Sequence, residues 1–158
     1  MRHLTHLVRR FLWTLRAKPL TPREQAEAEG LLTVAERSLF WSHPPEDQRH
    51  GLEGARHVLR ERPGDRSVAR AALLHDVGKR HARLGVFGRS LASGLGLIGI
   101  RPKRWRPYYD HGRVGAEELR SAAAEDIVVE WSRAHSGRQR PQSISVADWA
   151  SLIDADGA

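Results

Sequence analysis

The chain has no cysteine. Disulfide frameworks, thiolate metal sites and cysteine nucleophiles are therefore excluded, and any metal must be held by His, Asp or Glu. Alternating β-branched patterns, the mark of half-buried strands, are nearly absent as well. No apolar run is long enough to cross a membrane. The best stretch, LGVFGRSLASGLGLIGI at 84–100, is broken by Arg89, laced with glycine and shorter than the required span of about 20 residues. Nor does the N-terminus read as a signal peptide, because arginines run through its apolar positions and no small-residue cleavage site follows. A cytoplasmic protein is the expectation.

What is present suits one soluble domain: 158 residues, 40% of them hydrophobic and 28% charged, can bury a sizeable core. The net charge of +7, carried mostly by arginine, favours anionic partners such as phosphate esters, nucleic acid or an acidic membrane surface. An arginine-rich composition alone gives the same balance. Nine histidines supply the metal ligands that cysteine does not.

The pattern along the chain is helical. In LTHLVRRFLWTLR (4–16), Leu4, Leu7, Val8, Phe11, Leu12 and Leu15 form one apolar stripe with arginines opposite. Such a helix packs on its own domain or lies on a membrane surface. Pro19 ends it. Thr21, Pro22 and Glu24 then open a helix predicted to reach about Phe40, with a capping box at its start. Asp47 is the expected cap of a helix over 48–61, and Ser67 opens the next, with Gly78 as its C-cap. Residues 82–108 are irregular, glycine-rich and then basic, and helices resume over 110–121, 124–135 and 145–156. The fold class is all-α.

The segment AALLHDVGKR (71–80) sets a His-Asp doublet at the end of an apolar run. That is a poor way to build a core and a good way to hold a metal. Imidazole and carboxylate suit divalent Mn, Fe, Zn, Co or Ni. Candidate ligands are His50, His75, Asp76, His111 and His135, completed by an aspartate near the C-terminus. Most sit near predicted helix ends, where several helices can aim short side chains at one point.

The ordered set H(50)…HD(75–76)…D resembles the HD superfamily of metal-dependent phosphohydrolases. DQRHGLEGARHVL (47–59) is similar to the family's first helix, and ARAALLHDVGK (69–79) to its most diagnostic segment. HGRVGAEEL (111–119) resembles its H-x-x-x-G-A-x-x-L helix, and IVVEWSRAH (127–135) the helix after it, with Ser136 where a second His is frequent. No G-Y-P motif follows, so the cyclic-dinucleotide branch of the family is not indicated. The resemblance covers about residues 40–158. It implies an HD bundle of about six to seven helices over 41–158, with residues 1–40 a helical extension packed on it.

The closing aspartate has two positions that fit the family ending, Asp148 in ISVAD and Asp156 in LIDAD. Ser145 and Asp148 form an S-x-x-D pair of the kind that caps a helix, which favours Asp156 as the ligand. Asp154 lies on a different helical face. The resemblance then implies that His50, His75, Asp76 and Asp156 hold a first divalent ion (Mn, Fe, Zn, Co, Ni or Mg). His111 and His135 would hold a second, with Asp76 bridging. Metal-activated water would attack the phosphorus of a phosphomonoester or phosphodiester, nucleotide-like in class.

Lys79, one turn beyond His75, matches the lysine of the family's HD-x-G-K variant and implies a partner for a phosphate oxygen; the alternative is a solvated cation near a helix end. His57 lies on the same predicted helical face as His50. Arg83, Arg89, Arg101, Lys103 and Arg104 can extend a positive rim. In RPKRWRPYY (101–109), four basic residues interleave with three aromatics, a mixture that binds single-stranded nucleic acid or plugs a core. Three functions follow: a metal-dependent phosphohydrolase, which leads; a catalytically inactive HD-fold regulatory or interaction module with a structural metal; and a basic helical nucleic-acid binder.

Overall fold

A computed structural model describes residues 18–82, 84, 88, 92, 95, 102–137 and 139–157. The expected helix over 4–16, and Arg83, Arg89 and Arg101, lie outside the described residues, as does the side chain of Arg104.

The described elements are all helical. In chain order they are α1 Pro22–Leu31, α2 Val34–Trp41, α3 Pro45–Glu61, α4 Arg66–Leu74, a 3-10 segment Val77–Ala82, a 3-10 turn Lys103–Trp105, α5 Arg106–Tyr109, α6 His111–Ser121, α7 Asp126–Ala134, a 3-10 turn His135–Gly137, and α8 Val146–Gly157. The all-α expectation holds, with no strand among the described residues.

Local sequence explains most of the boundaries. Thr21 caps α1 and exchanges hydrogen bonds with Glu24, so the predicted capping box forms. The single helix expected to run to Phe40 is instead two. Leu32 turns extended, and Thr33 with Glu36 makes a second capping box that restarts the chain as α2. Asp47 is not a cap: α3 begins at Pro45, and Asp47 stands in its first turn beside Glu46, where acidic groups favour the positive end of the helix dipole. Asp65, rather than Ser67, occupies the N-cap position of α4.

The hydrophobic core runs through every longer helix. Leu52, Ala55 and Val58 of α3 meet Leu73 and Leu74 of α4, Leu119 of α6, Val128 and Trp131 of α7 and Leu152 of α8. Leu20, Ala28, Leu31, Leu32 and Phe40 join the same cluster, so residues 20–40 pack on the domain. Truncating any of these buried leucines to alanine costs about 2–5 kcal/mol. Helices α3 and α4 approach closely, because a Cβ on Gly51 would come within 2.4 Å of the Leu73 carbonyl oxygen. Helix α4 lies between α3 and α7, α8 crosses α3 and α4, and the 77–82 segment packs on α6. The end of α4 therefore sits among α3, α7 and α8, with α6 packed on the segment that follows it.

Candidate metal centre

The buried run Ala71–Leu74 anchors α4 in the core, and the helix stops at Leu74 with His75 as its C-cap. Its last carbonyls need partners there. Ser132 of α7 donates its hydroxyl to the His75 carbonyl at 3.0 Å, deep inside the protein. This leaves His75 and Asp76, each only 3% exposed, at the junction of α3, α6, α7 and α8.

Three histidines share one local arrangement. His75 Nδ1 donates to the Ala72 carbonyl at 2.8 Å, His111 Nδ1 to the Tyr108 carbonyl at 2.5 Å, and His135 Nδ1 to the Ser132 carbonyl at 2.9 Å. Each partner stands three residues earlier in the chain. A carbonyl oxygen can only accept, so Nδ1 carries the proton, and in the neutral ring the Nε2 lone pair is left for another group. Metal-ligating histidines are oriented in this way.

The Nε2 atoms converge on carboxylates. Asp76 Oδ1 lies 3.3 Å from His135 Nε2 and 3.6 Å from His111 Nε2, while its Oδ2 lies 3.3 Å from His75 Nε2. Asp156 Oδ1 lies 3.3 Å from His75 Nε2 and 3.5 Å from His50 Nε2. His111 Nε2 and His135 Nε2 are 3.1 Å apart. Two sets of donors sit within 4.8 Å of one another, His50 with His75 and Asp76, and Asp76 with His111 and His135. Asp76 belongs to both.

The electrostatics ask for a cation. Burial alone would depress His75, yet the Asp76 and Asp156 carboxylates outweigh it and hold the imidazole up at about 10. Burial opposes ionisation of Asp76 as well, but the charges of His75 and Lys79 beside it keep it well below the usual carboxylate range. Asp156 is likewise depressed against its burial by His50 and His75. His111 goes the other way: burial and the Lys79 charge push it down to about 3, so its ring is neutral at pH 7. Meanwhile His75 Nε2 and Asp76 Oδ1 are buried with no hydrogen-bond partner. Imidazoles oriented through Nδ1, two ionised carboxylates and the orphaned atoms together fit a divalent ion, which would take the place of the Nε2 proton on His75.

The other candidates fall elsewhere. Asp148 pairs with Arg62 at 2.6 Å, and its backbone N–H donates to Ser145 Oγ at 3.0 Å. Asp154 is exposed. His57 stands 3.3 Å from Glu61 rather than with His50. Lys79 is not a solvated cation: it is buried, and its ammonium rests on Asp76 Oδ2. Gly78 is not a left-handed C-cap, because α4 has already ended and its φ is not positive. A Cβ there would come within 2.0 Å of the His111 carbonyl oxygen and 2.7 Å of the Gly115 nitrogen, so glycine is needed for close approach to α6.

Of the rim residues Lys103 is exposed, whereas Trp105 of the basic–aromatic stretch is buried and Tyr108 lies against His111 with ring centroids 5.9 Å apart. One residue that matters here carries no legible signal in the sequence: Ser132, which holds the His75 carbonyl, is one ordinary serine in a helix.

A family model described as the HD domain matches residues 49–155. The match takes in His50, His75, Asp76, His111 and His135 and stops one residue before Asp156. No curated protein and no solved structure matches the chain.

Proposed function

Because the chain belongs to the HD domain family, a superfamily of metal-dependent phosphohydrolases, we propose that it hydrolyses a small phosphate ester of nucleotide type at the Asp76 centre. The observation that carries this reading is the shared carboxylate: Asp76 faces His75 through one oxygen and His111 with His135 through the other. His50, His75, Asp76 and Asp156 would hold one divalent ion, and Asp76, His111 and His135 a second. Such ions, when bound, supply an activated water and offset charge on the phosphoryl oxygens.

The chain's own residues do the rest. The backbone carbonyls of Ala72, Tyr108 and Ser132 fix the imidazole tautomers. Burial of His75, Asp76, His111 and His135 strengthens the electrostatic contacts among them. Lys79, carried at the mouth of the 3-10 segment and already facing Asp76, brings a positive charge to where phosphoryl charge grows. The inward placement of Trp105, and of Tyr108 beside His111, supports a small substrate over an extended nucleic-acid strand.

The test is a comparison of purified wild-type protein with His75→Ala and Asp76→Ala. Bound metal is measured, and nucleotides and generic phosphodiesters are screened with Mn, Co, Ni or Fe. Metal-dependent hydrolysis by the wild type, lost in both variants, is expected. Bound metal without hydrolysis of any substrate would instead favour an HD-fold interaction module.

A further inference from the structure

Lys79 reaches the Asp76 carboxylate from the 3-10 segment Val77–Ala82, a weak frame for a side chain that must be held in place. Runs of this helix longer than about three or four residues are uncommon, because its hydrogen bonds are poorly aligned. The first half of the segment is pressed onto α6: Val77, Gly78 and Lys79 are buried, and a Cβ on Gly78 would strike the His111 carbonyl. From Arg80 onward the chain rises toward solvent, with Arg80 half-buried and His81 exposed, and neither Arg80, His81 nor Ala82 joins the hydrophobic core. Apolar packing does not hold that second half.

A carboxylate of α6 does. Arg80 Nη2 donates to Glu118 Oε1 at 2.6 Å, and His81 Nε2 lies 2.7 Å from the same oxygen. Arg80 Nη1 also donates to the Val77 carbonyl at 3.2 Å, so one guanidinium ties the segment both to itself and to α6. The Arg80 and Glu118 side chains are 21% and 23% exposed. The neighbouring Arg113–Glu117 pair on the same helix is 60% and 56% exposed, a surface contact of little worth. Charge-assisted contacts that are partly shielded from water are the stronger kind. Lys79 is thus bracketed, with Asp76 on one side and the Glu118 contact immediately after it. Glu118 stands seven residues beyond His111, so the helix that delivers one candidate ligand also anchors the lysine segment.

We propose that Glu118 is a positioning residue for Lys79: by holding Arg80 and His81 it keeps the 3-10 segment on α6 and the ammonium at the Asp76 centre. Glu118 belongs to neither set of metal-capable side chains, and its effect runs through Lys79. The kinetic consequence rests on the phosphohydrolase reading, whereas the placement of Lys79 is measured without any substrate.

The chain has three lysines, Lys18, Lys79 and Lys103, and the first and last are exposed. Full-length wild type, Glu118→Ala and Glu118→Gln are treated in excess Mn²⁺ with an amine-acetylating reagent, and mass spectrometry follows the rate at each lysine. Metal content and thermal midpoint are recorded alongside. Lys79 should react slowest in the wild type. In Glu118→Ala it should react at least about tenfold faster, the scale of one charged hydrogen bond, with metal content and the rates at Lys18 and Lys103 unchanged. Glu118→Gln keeps an acceptor oxygen and should recover part of the protection. In parallel, kcat is measured for Glu118→Ala, Lys79→Met and the double variant. Glu118→Ala should lower kcat by about tenfold or more through misplacement of Lys79, and should add little once Lys79 is already methionine.

Equal acetylation of Lys79 in wild type and Glu118→Ala overturns the proposal, as does an undiminished loss of kcat from Glu118→Ala in the Lys79→Met background. If Glu118→Ala does not fold, Arg80→Ala combined with His81→Ala removes the same contact from the other side and takes its place in both measurements. A wild type that hydrolyses no ester defeats the phosphohydrolase reading, while the acetylation rates still decide the role of Glu118.

Discussion

Asp156 Oδ1 stands 3.5 Å from His50 Nε2, joining α8 to α3 across the domain. The contact brings the last helix of the chain onto the helix where the family match begins. Groups contributed by α3, by the end of α4, by the start of α6, by the end of α7 and by α8 meet at one point. None of these contacts exists in an unfolded chain, so whatever binds there is coupled to folding of the whole bundle.

The two C-terminal aspartates should separate cleanly on substitution. Asp156→Asn removes a carboxylate from the His50–His75 set and is expected to weaken metal binding by more than roughly 10–100-fold, the loss typical of mere outer partners. Asp148→Asn disturbs a partly exposed pair with Arg62 and a contact with Ser145, both away from the centre. It should keep its metal and lose about 1 kcal/mol of stability or less. Elemental analysis with metal titration, and urea unfolding, read the two effects.

Divalent metal should raise the unfolding temperature. At a free metal concentration of about 100 times Kd the stabilisation is about 2.7 kcal/mol, and a chelator should reverse it. His75→Ala and Asp76→Ala should abolish the shift, since each removes a donor from the centre. Calorimetric scans with and without chelator check this, and an unchanged shift in both variants would place the metal elsewhere.

Lys79 should matter to rate more than to metal. Its ammonium contacts Asp76 Oδ2 from a buried position. Lys79→Met removes a positive charge beside the carboxylates, so metal should be retained at least as well. Hydrolysis is expected to fall by about 10²–10³-fold, the scale of losing one preorganised charge contact. Metal content and kcat measured together distinguish this from simple loss of the centre.

Gly78→Ala should be among the most damaging single-methyl changes in the domain. The new Cβ would fall 2.0 Å from the His111 carbonyl oxygen, a backbone atom that no side-chain rotation can clear. Forcing the 77–82 segment off α6 is expected to cost about 1–3 kcal/mol or more. It also pulls on His111, so metal affinity should drop along with the urea midpoint.

How far the sequence could be read follows from the range of the forces involved. The His75–Asp76 doublet was legible because an apolar run must be buried and so carries its polar end inward. The Thr21 cap was legible because a capping box is written within four residues. The break at Leu32–Thr33 was equally local, but the apolar pattern on either side masked it. Gly78 misled for a different reason: a glycine needed for close approach looks, in one dimension, like a glycine needed for a turn. Ser132 acts through a distant partner, and no spacing rule encodes which carbonyl a hydroxyl will meet across 57 residues.

The enclosed His43 gives the protein an acid sensitivity with a definite sign. Burial lowers its pKa to about 4 from an ordinary 6.5, against the pull of Asp47 and Asp76 and with the push of Arg80 and His75. Above 6.5 the ring is neutral whether the chain is folded or not, and it contributes no slope. Between 6.5 and 4 the unfolded chain takes up a proton that the folded one does not, so stability falls as pH falls. The slope for one such group is about 1.4 kcal/mol per pH unit at most. His43→Phe removes it. The difference in unfolding free energy between His43→Phe and wild type should therefore widen in favour of the variant as pH drops through this window, and hold constant above it. Urea unfolding at steps from pH 7.5 to 4.5 in the presence of chelator measures that difference, and a gap that does not change with pH would show that the imidazole is already protonated, or already solvated, in the native protein.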